Sequence, residues 1–95
     1  MPSDKDVKGK KPEYTVLILP SAQKQLSKLP NAIATRIEDK LLELEGDPRP
    51  PGCKKLKGRD AWRIRIGDYR AIYEINDGKL IVTVITIGHR REVYE

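Results

Sequence analysis

The chain has little of what stiffens or cross-links small proteins. Of its 95 residues none is Phe, one is Trp, and Cys and His occur once each, as Cys53 and His89. A single cysteine excludes an internal disulfide, and no Cys/His cluster has the spacing of a zinc site. This usage suits a reducing cytoplasm. No apolar run approaches the ~18–20 residues needed to span a bilayer. The N-terminus also lacks the apolar core of a signal peptide. The expectation is a soluble, cytosolic protein that needs no metal or cofactor and has no membrane partner. Acidic residues are scarce where basic ones collect. Residues 52–95 hold ten Lys and Arg against six Asp and Glu, whereas residues 14–51 hold five of each.

What is present fits one small domain. At 38% apolar and 35% charged residues, a single thin core must be closed by every element, and one face is expected to stay polar. A net charge of +5 favours an anionic partner, and its concentration in the last third says where that partner sits. Residues 1–13 carry four lysines and almost nothing to bury, so they read as a flexible basic arm ahead of one domain over 14–95.

Periodicity supplies the elements. Tyr14 to Leu19 is a β-branched and aromatic run ended by Pro20, which predicts a strand. Ala22, Leu26 and Leu29 then follow helical spacing up to Pro30. Asn31 is a candidate N-cap for a second helix to about Glu45, with Ile33, Ile37, Leu41 and Leu44 as its apolar stripe and Gly46 beyond its end. Cys53 to Asp60 is basic and reads as irregular. Trp62, Ile64 and Ile66 alternate with Arg63 and Arg65, which predicts a half-buried strand. Gly67-Asp68 makes a tight turn into a strand over Tyr69–Ile75, and Asn76 to Lys79 marks a second hairpin. Leu80 to Ile87 is continuously apolar, as expected of an interior strand buried on both faces, with Gly88 ending it. The sum is an α+β domain, β-α-α-β-β-β, with a helical hairpin packed on a mostly antiparallel four-stranded sheet.

The chemistry-bearing residues lie in the last third. Alternation sets Arg63 and Arg65 about 7 Å apart on the face opposite Trp62, and Arg70 joins them if its side chain shares that face. Fixed guanidiniums repel one another unless acidic neighbours or a bound anion intervene. Asp60, Asp68, Glu74 and Glu92 are available for ordinary pairing, and a wet sheet face is the plain alternative. His89, Arg90 and Tyr94 follow at the end of the last strand. Arginines with one histidine and one tyrosine, and no metal set, fit phosphodiester cleavage by the RNA's own 2′-hydroxyl. That reaction needs a proton acceptor, charge stabilisation at phosphorus and a proton donor.

The order strand, helical hairpin, Lys-Leu-Lys-Gly, Trp-Arg-Ile-Arg-Ile, Gly-Asp-Tyr-Arg-Ala-Ile-Tyr-Glu-Ile and Ile-Gly-His-Arg-Arg-Glu-Val-Tyr, over residues 14–95, resembles a RelE-type toxin of the RelE/ParE superfamily. The Gly-Asp-Tyr-Arg segment points to the superfamily, and the terminal Gly-His-Arg…Val-Tyr to its ribosome-dependent ribonuclease branch. The resemblance implies an endoribonuclease, an mRNA interferase that enters the ribosomal A site and cuts mRNA there. It also implies a RelB-like antitoxin partner, contact with 16S rRNA, and operator DNA met only through the antitoxin. By position, it gives Arg63 and Arg65 the basic residues that activate the nucleophile and hold phosphate. Arg70 would stabilise the transition state, Arg90 would serve the leaving group, Tyr94 would orient the substrate, and Lys55, Lys57 and Arg91 would extend the basic surface.

Arginine stands at 63 and 65 where well-known members have lysine, and arginine does not give up its proton near neutrality. His89 is therefore the expected base or acid, with Tyr94 second. The chain stops one residue past Tyr94, so the antitoxin is expected to wrap the sheet rather than displace a C-terminal helix. The alternatives are a ParE-like toxin that inhibits DNA gyrase by binding, and a nucleic-acid-binding module without catalysis.

Overall fold

In the computed structural model, the described residues are 13–89. The arm expected over 1–13 lies outside them except for Glu13, as do Arg90, Arg91 and Tyr94.

Strand β1 (Thr15–Ile18) leads into helix α1 (Pro20–Ser27) and helix α2 (Asn31–Leu42), the latter tightening into a 3-10 turn at Glu43–Glu45. Strands β2 (Lys54–Lys55), β3 (Trp62–Ile66), β4 (Tyr69–Asn76) and β5 (Ile81–His89) follow. The sheet has five strands in the order β1-β5-β4-β3-β2, with β1 parallel to β5 and every other pair antiparallel. The fifth strand is β2, a two-residue edge piece in the segment whose sequence reads as irregular.

Pro20 opens α1, its fixed φ matching the helix and its missing N–H costing nothing there. For α2 the cap is Pro30 rather than Asn31: the Pro30 carbonyl accepts from Ile33 N at 3.0 Å and Ala34 N at 2.9 Å, while Asn31 is already helical. Both helices lie on one face of the sheet. Ala22, Leu26, Ile37, Leu41 and Leu44 pack there against Ile64, Ile66, Ala71, Tyr73, Val82, Val84 and Ile87. Tyr73 is fully buried in this layer, its hydroxyl donating to Pro48 O at 2.8 Å, and burial pushes its phenol above the ordinary range.

Strand β5 is interior, between β1 and β4, and continues through Gly88 to His89. It is not buried equally on its two faces. Val82, Val84 and Ile87 are fully buried toward the helices, and the intervening residues are half-buried. The buried positions change parity after Val84 because of a bulge: Ile72 faces Thr86 and Tyr73 faces Val84, which leaves Ile85 as the extra residue.

Candidate active site

The β3–β4 hairpin is joined by Gly67-Asp68, with Gly67 at a φ of 61° that suits the first position of a two-residue turn. This fixes the register. Arg65 lies directly opposite Arg70, Arg63 opposite Ile72, and Arg70 in turn opposite Gly88 of β5. Directly opposed residues of an antiparallel pair share a face, so Arg63, Arg65 and Arg70 project together, away from the helices.

Their surroundings grade from buried to open. Arg63 is 5% exposed, Arg70 half-buried and Arg65 exposed. Leu56, Ala61 and Ile72 make a second, small buried cluster on this face, closed where Leu56 N donates to Ala61 O at 2.9 Å. Arg63 emerges beside it as the cross-strand partner of Ile72. Burial, then Arg70, then Arg65 push the Arg63 guanidinium below its ordinary range. Arg70 and Arg65 thus both act on Arg63, although an arginine lowered in this way still stays charged.

The lysines divide differently from the sequence reading. In the β2–β3 pairing Lys54 faces Arg63 and Lys55 faces Trp62. Lys54 thus joins the arginine face, where alternation alone did not place it. Lys55 belongs to the Trp62 side of the strand, with its Nζ 3.5 Å from Asp60 Oδ1. That contact also takes up Asp60, one of the acids available to the arginines. Lys57 is exposed in the loop that carries Leu56.

His89 is not brought to the arginines. It pairs with Tyr69 across β4–β5, one step from the Ala71–Ile87 pair that faces the helices. Its ring meets the Tyr69 ring edge-on at 5.6 Å. Gln25, Lys28, Leu29, Tyr69, Ile87 and His89 line a cavity of about 520 Å³ on that side. The register thus sets His89, the expected base or acid, on the helix side of the sheet, because the bulge at Ile85 turns the end of β5 over. Arg90, Arg91 and Tyr94 lie outside the described residues. Among the described residues no group of three His, Cys, Asp or Glu side chains could hold a metal ion, and no helix is long and apolar enough to cross a membrane.

This geometry offers fixed positive charge beside a position without a side chain, Gly88, so backbone alone flanks Arg70 on that edge. Such a surface can hold a phosphodiester and stabilise added negative charge on it.

A family model described as the ParE toxin of type II toxin–antitoxin systems matches residues 16–94. The chain is 35% identical over 78 residues to the mRNA interferase toxin RelE of Escherichia coli, an alignment covering 77% of this chain and 81% of that protein. It is 33% identical over 84 residues to toxin RelG of Mycobacterium tuberculosis, covering 85% and 95%. Among solved structures, the archaeal RelE–RelB complex from Pyrococcus horikoshii superimposes with a TM-score of 0.76 at 31% identity, covering 85% of this chain and 99% of that one.

Proposed function

The chain belongs to the RelE/ParE superfamily of toxins from type II toxin–antitoxin systems, and from that premise we propose that it is a ribosome-dependent endoribonuclease cutting mRNA in the A site. The observation that carries this reading is the in-register Arg65–Arg70 pair with Arg63 beside it and Gly88 on the far flank. Arginines set side by side on one face suit the oxygens of a phosphodiester.

The 2′-oxygen of one nucleotide attacks the adjacent phosphorus and the bond to the 5′-oxygen of the next breaks, leaving a 2′,3′-cyclic phosphate and a 5′-hydroxyl. Arg70 and Arg65 stabilise the extra negative charge on the phosphorane, and Arg63, held rigid by burial, fixes the phosphate. Arg90 stabilises the negative charge on the departing 5′-oxygen, which takes its proton from water. With His89 on the helix side, the proton on the 2′-hydroxyl falls to Tyr94 or to a group of the ribosome. Positioning by the A site completes a surface that free RNA would occupy poorly. Lys54 and Lys57, with Arg91, extend the basic surface toward 16S rRNA. A RelB-like antitoxin wraps the sheet and covers the arginines, and operator DNA is met only through that antitoxin. The structural relatives named as RelE–RelB complexes support this partner.

Primer extension on an mRNA in a reconstituted translation mixture tests the proposal. Wild type is expected to give A-site cuts that Arg90→Ala and Tyr94→Ala abolish. An unchanged pH profile is expected for His89→Gln. The ParE description of the matching family favours one other reading, gyrase inhibition by binding. Blocked supercoiling without any A-site cut establishes that reading instead.

A further inference from the structure

Strand β1 ends at Ile18, whose partner on β5 is Val84, yet β5 runs on to His89. From Ile85 onward β1 no longer covers that edge, and bare backbone groups at a sheet edge are costly unless paired or wet. Helix α1 takes the place of the strand. Ser21 Oγ donates to Ile85 O at 3.0 Å, and Gln25 Oε1 accepts from Ile87 N at 2.7 Å. Gln25 Nε2 also donates to Thr86 Oγ1 at 3.1 Å. The spacing matches. Four residues of helix rise ~6 Å and two residues of strand ~6.6 Å, so side chains at positions i and i+4 of α1 meet successive outward groups of β5.

This edge lies just past the bulge at Ile85, where the pairing of β5 with β4 has already stepped by one residue. Past the bulge, a one-residue slip of β5 turns every side chain to the other face. On one side the Arg70–Gly88 and Ile72–Thr86 pairs hold the segment. On the other side the half-buried Gln25 is bonded to two consecutive residues of it.

We propose that Gln25 is a positioning residue of the ribonuclease site: by bonding Ile87 N and Thr86 Oγ1 it keeps Gly88 opposite Arg70. This rests on the A-site cleavage reading. Gln25 touches no substrate and acts through β5.

The test compares full-length wild type with Gln25→Leu, Gln25→Glu and Gln23→Leu. Glutamate keeps the oxygen that accepts from Ile87 N. Gln23 is the matched control, since it sits on the same helix but bonds Ile18 O of β1, at 2.7 Å. In the reconstituted translation assay, Gln25→Leu is expected to lower kcat ~10–100-fold, the scale of a small misplacement of reacting groups, with KM for the programmed ribosome within about twofold. Amide exchange of Ile87 is expected to quicken in the same variant. Gln25→Glu is expected to restore both, and Gln23→Leu to change neither. A Gln25→Leu protein that cuts as fast as wild type, or that loses kcat and KM together without rescue by glutamate, overturns the proposal. A wild type that does not cut overturns the ribonuclease reading instead, and the exchange of Ile87 then still reports whether Gln25 pins the strand.

Discussion

The two faces of the sheet are written by alternate residues of the same strands and obey opposite rules. Toward the helices, Ile64, Ile66, Ala71 and Tyr73 are buried and bring only one hydroxyl that must be satisfied. Away from them, Lys54, Arg63, Arg65 and Arg70 stand in register as like charges. The first face is arranged for folding. The second sets like charges side by side and is the face proposed above to receive a phosphodiester. Alternation keeps the two sets of residues apart on one strand.

The comparison breaks most visibly on the helix side. Truncating Ile64 to Ala is expected to cost about 2–5 kcal/mol of stability, read as a lower urea midpoint, and to lose activity only through the unfolded fraction. On the other side, Arg70→Ala is expected to leave a urea midpoint no lower than that of wild type while cleavage falls ~100–1,000-fold, the range for loss of one group that stabilises transition-state charge. A smaller effect sharpens the contrast. Arg65→Gln is expected to raise stability by ~0.2–1 kcal/mol, because it removes a directly opposed like-charge pair; equilibrium unfolding in low salt measures it.

The smallest effect concerns neither face. Tyr14 OH donates to Asp77 at 2.6 Å, and Arg49 holds the same carboxylate through two bonds of 3.2 and 2.9 Å. Hydrogen bonds from Arg49 and then Tyr14 hold the Asp77 carboxyl below its ordinary value of 3.8. A pKa lowered on folding contributes stability that is present above the unfolded value and is lost as pH falls through the folded one. Asp77→Asn is therefore expected to flatten the stability profile below about pH 3.8, followed by thermal melts across that range, and to leave cleavage unchanged.

Much of this was legible in the residues. Trp62 to Ile66 announces one buried and one basic face, and Gly67-Asp68 announces the turn that sets Arg65 against Arg70. The apolar stripes of both helices needed only the 3.6-residue period. Three things escaped for physical reasons. Strand β2 is two residues long and has no period to read, so Lys54 becomes visible only through its pairing with Arg63. The burial of Arg63 depends on Leu56 and Ala61 meeting Ile72, a contact between distant segments.

The third is His89. Unbroken alternation from Val82 and Val84 would have set it on the arginine face. The bulge at Ile85 reverses the parity so that Ile87 is buried, and His89 follows it to the helix side. A continuous run of Ile, Val and Thr conceals such a shift, because every residue in it suits either face.

On the proposed function, the arginine face performs chemistry rather than simply attracting RNA. A double-mutant cycle of Arg65→Ala and Arg70→Ala, with A-site cleavage and ribosome affinity measured on the same proteins, tests it most directly. Each single variant is expected to lose nearly as much kcat as the double, with affinity kept within a few-fold. Modest, additive losses that track weaker binding and a reduced salt dependence would contradict it and leave a surface that only neutralises phosphate.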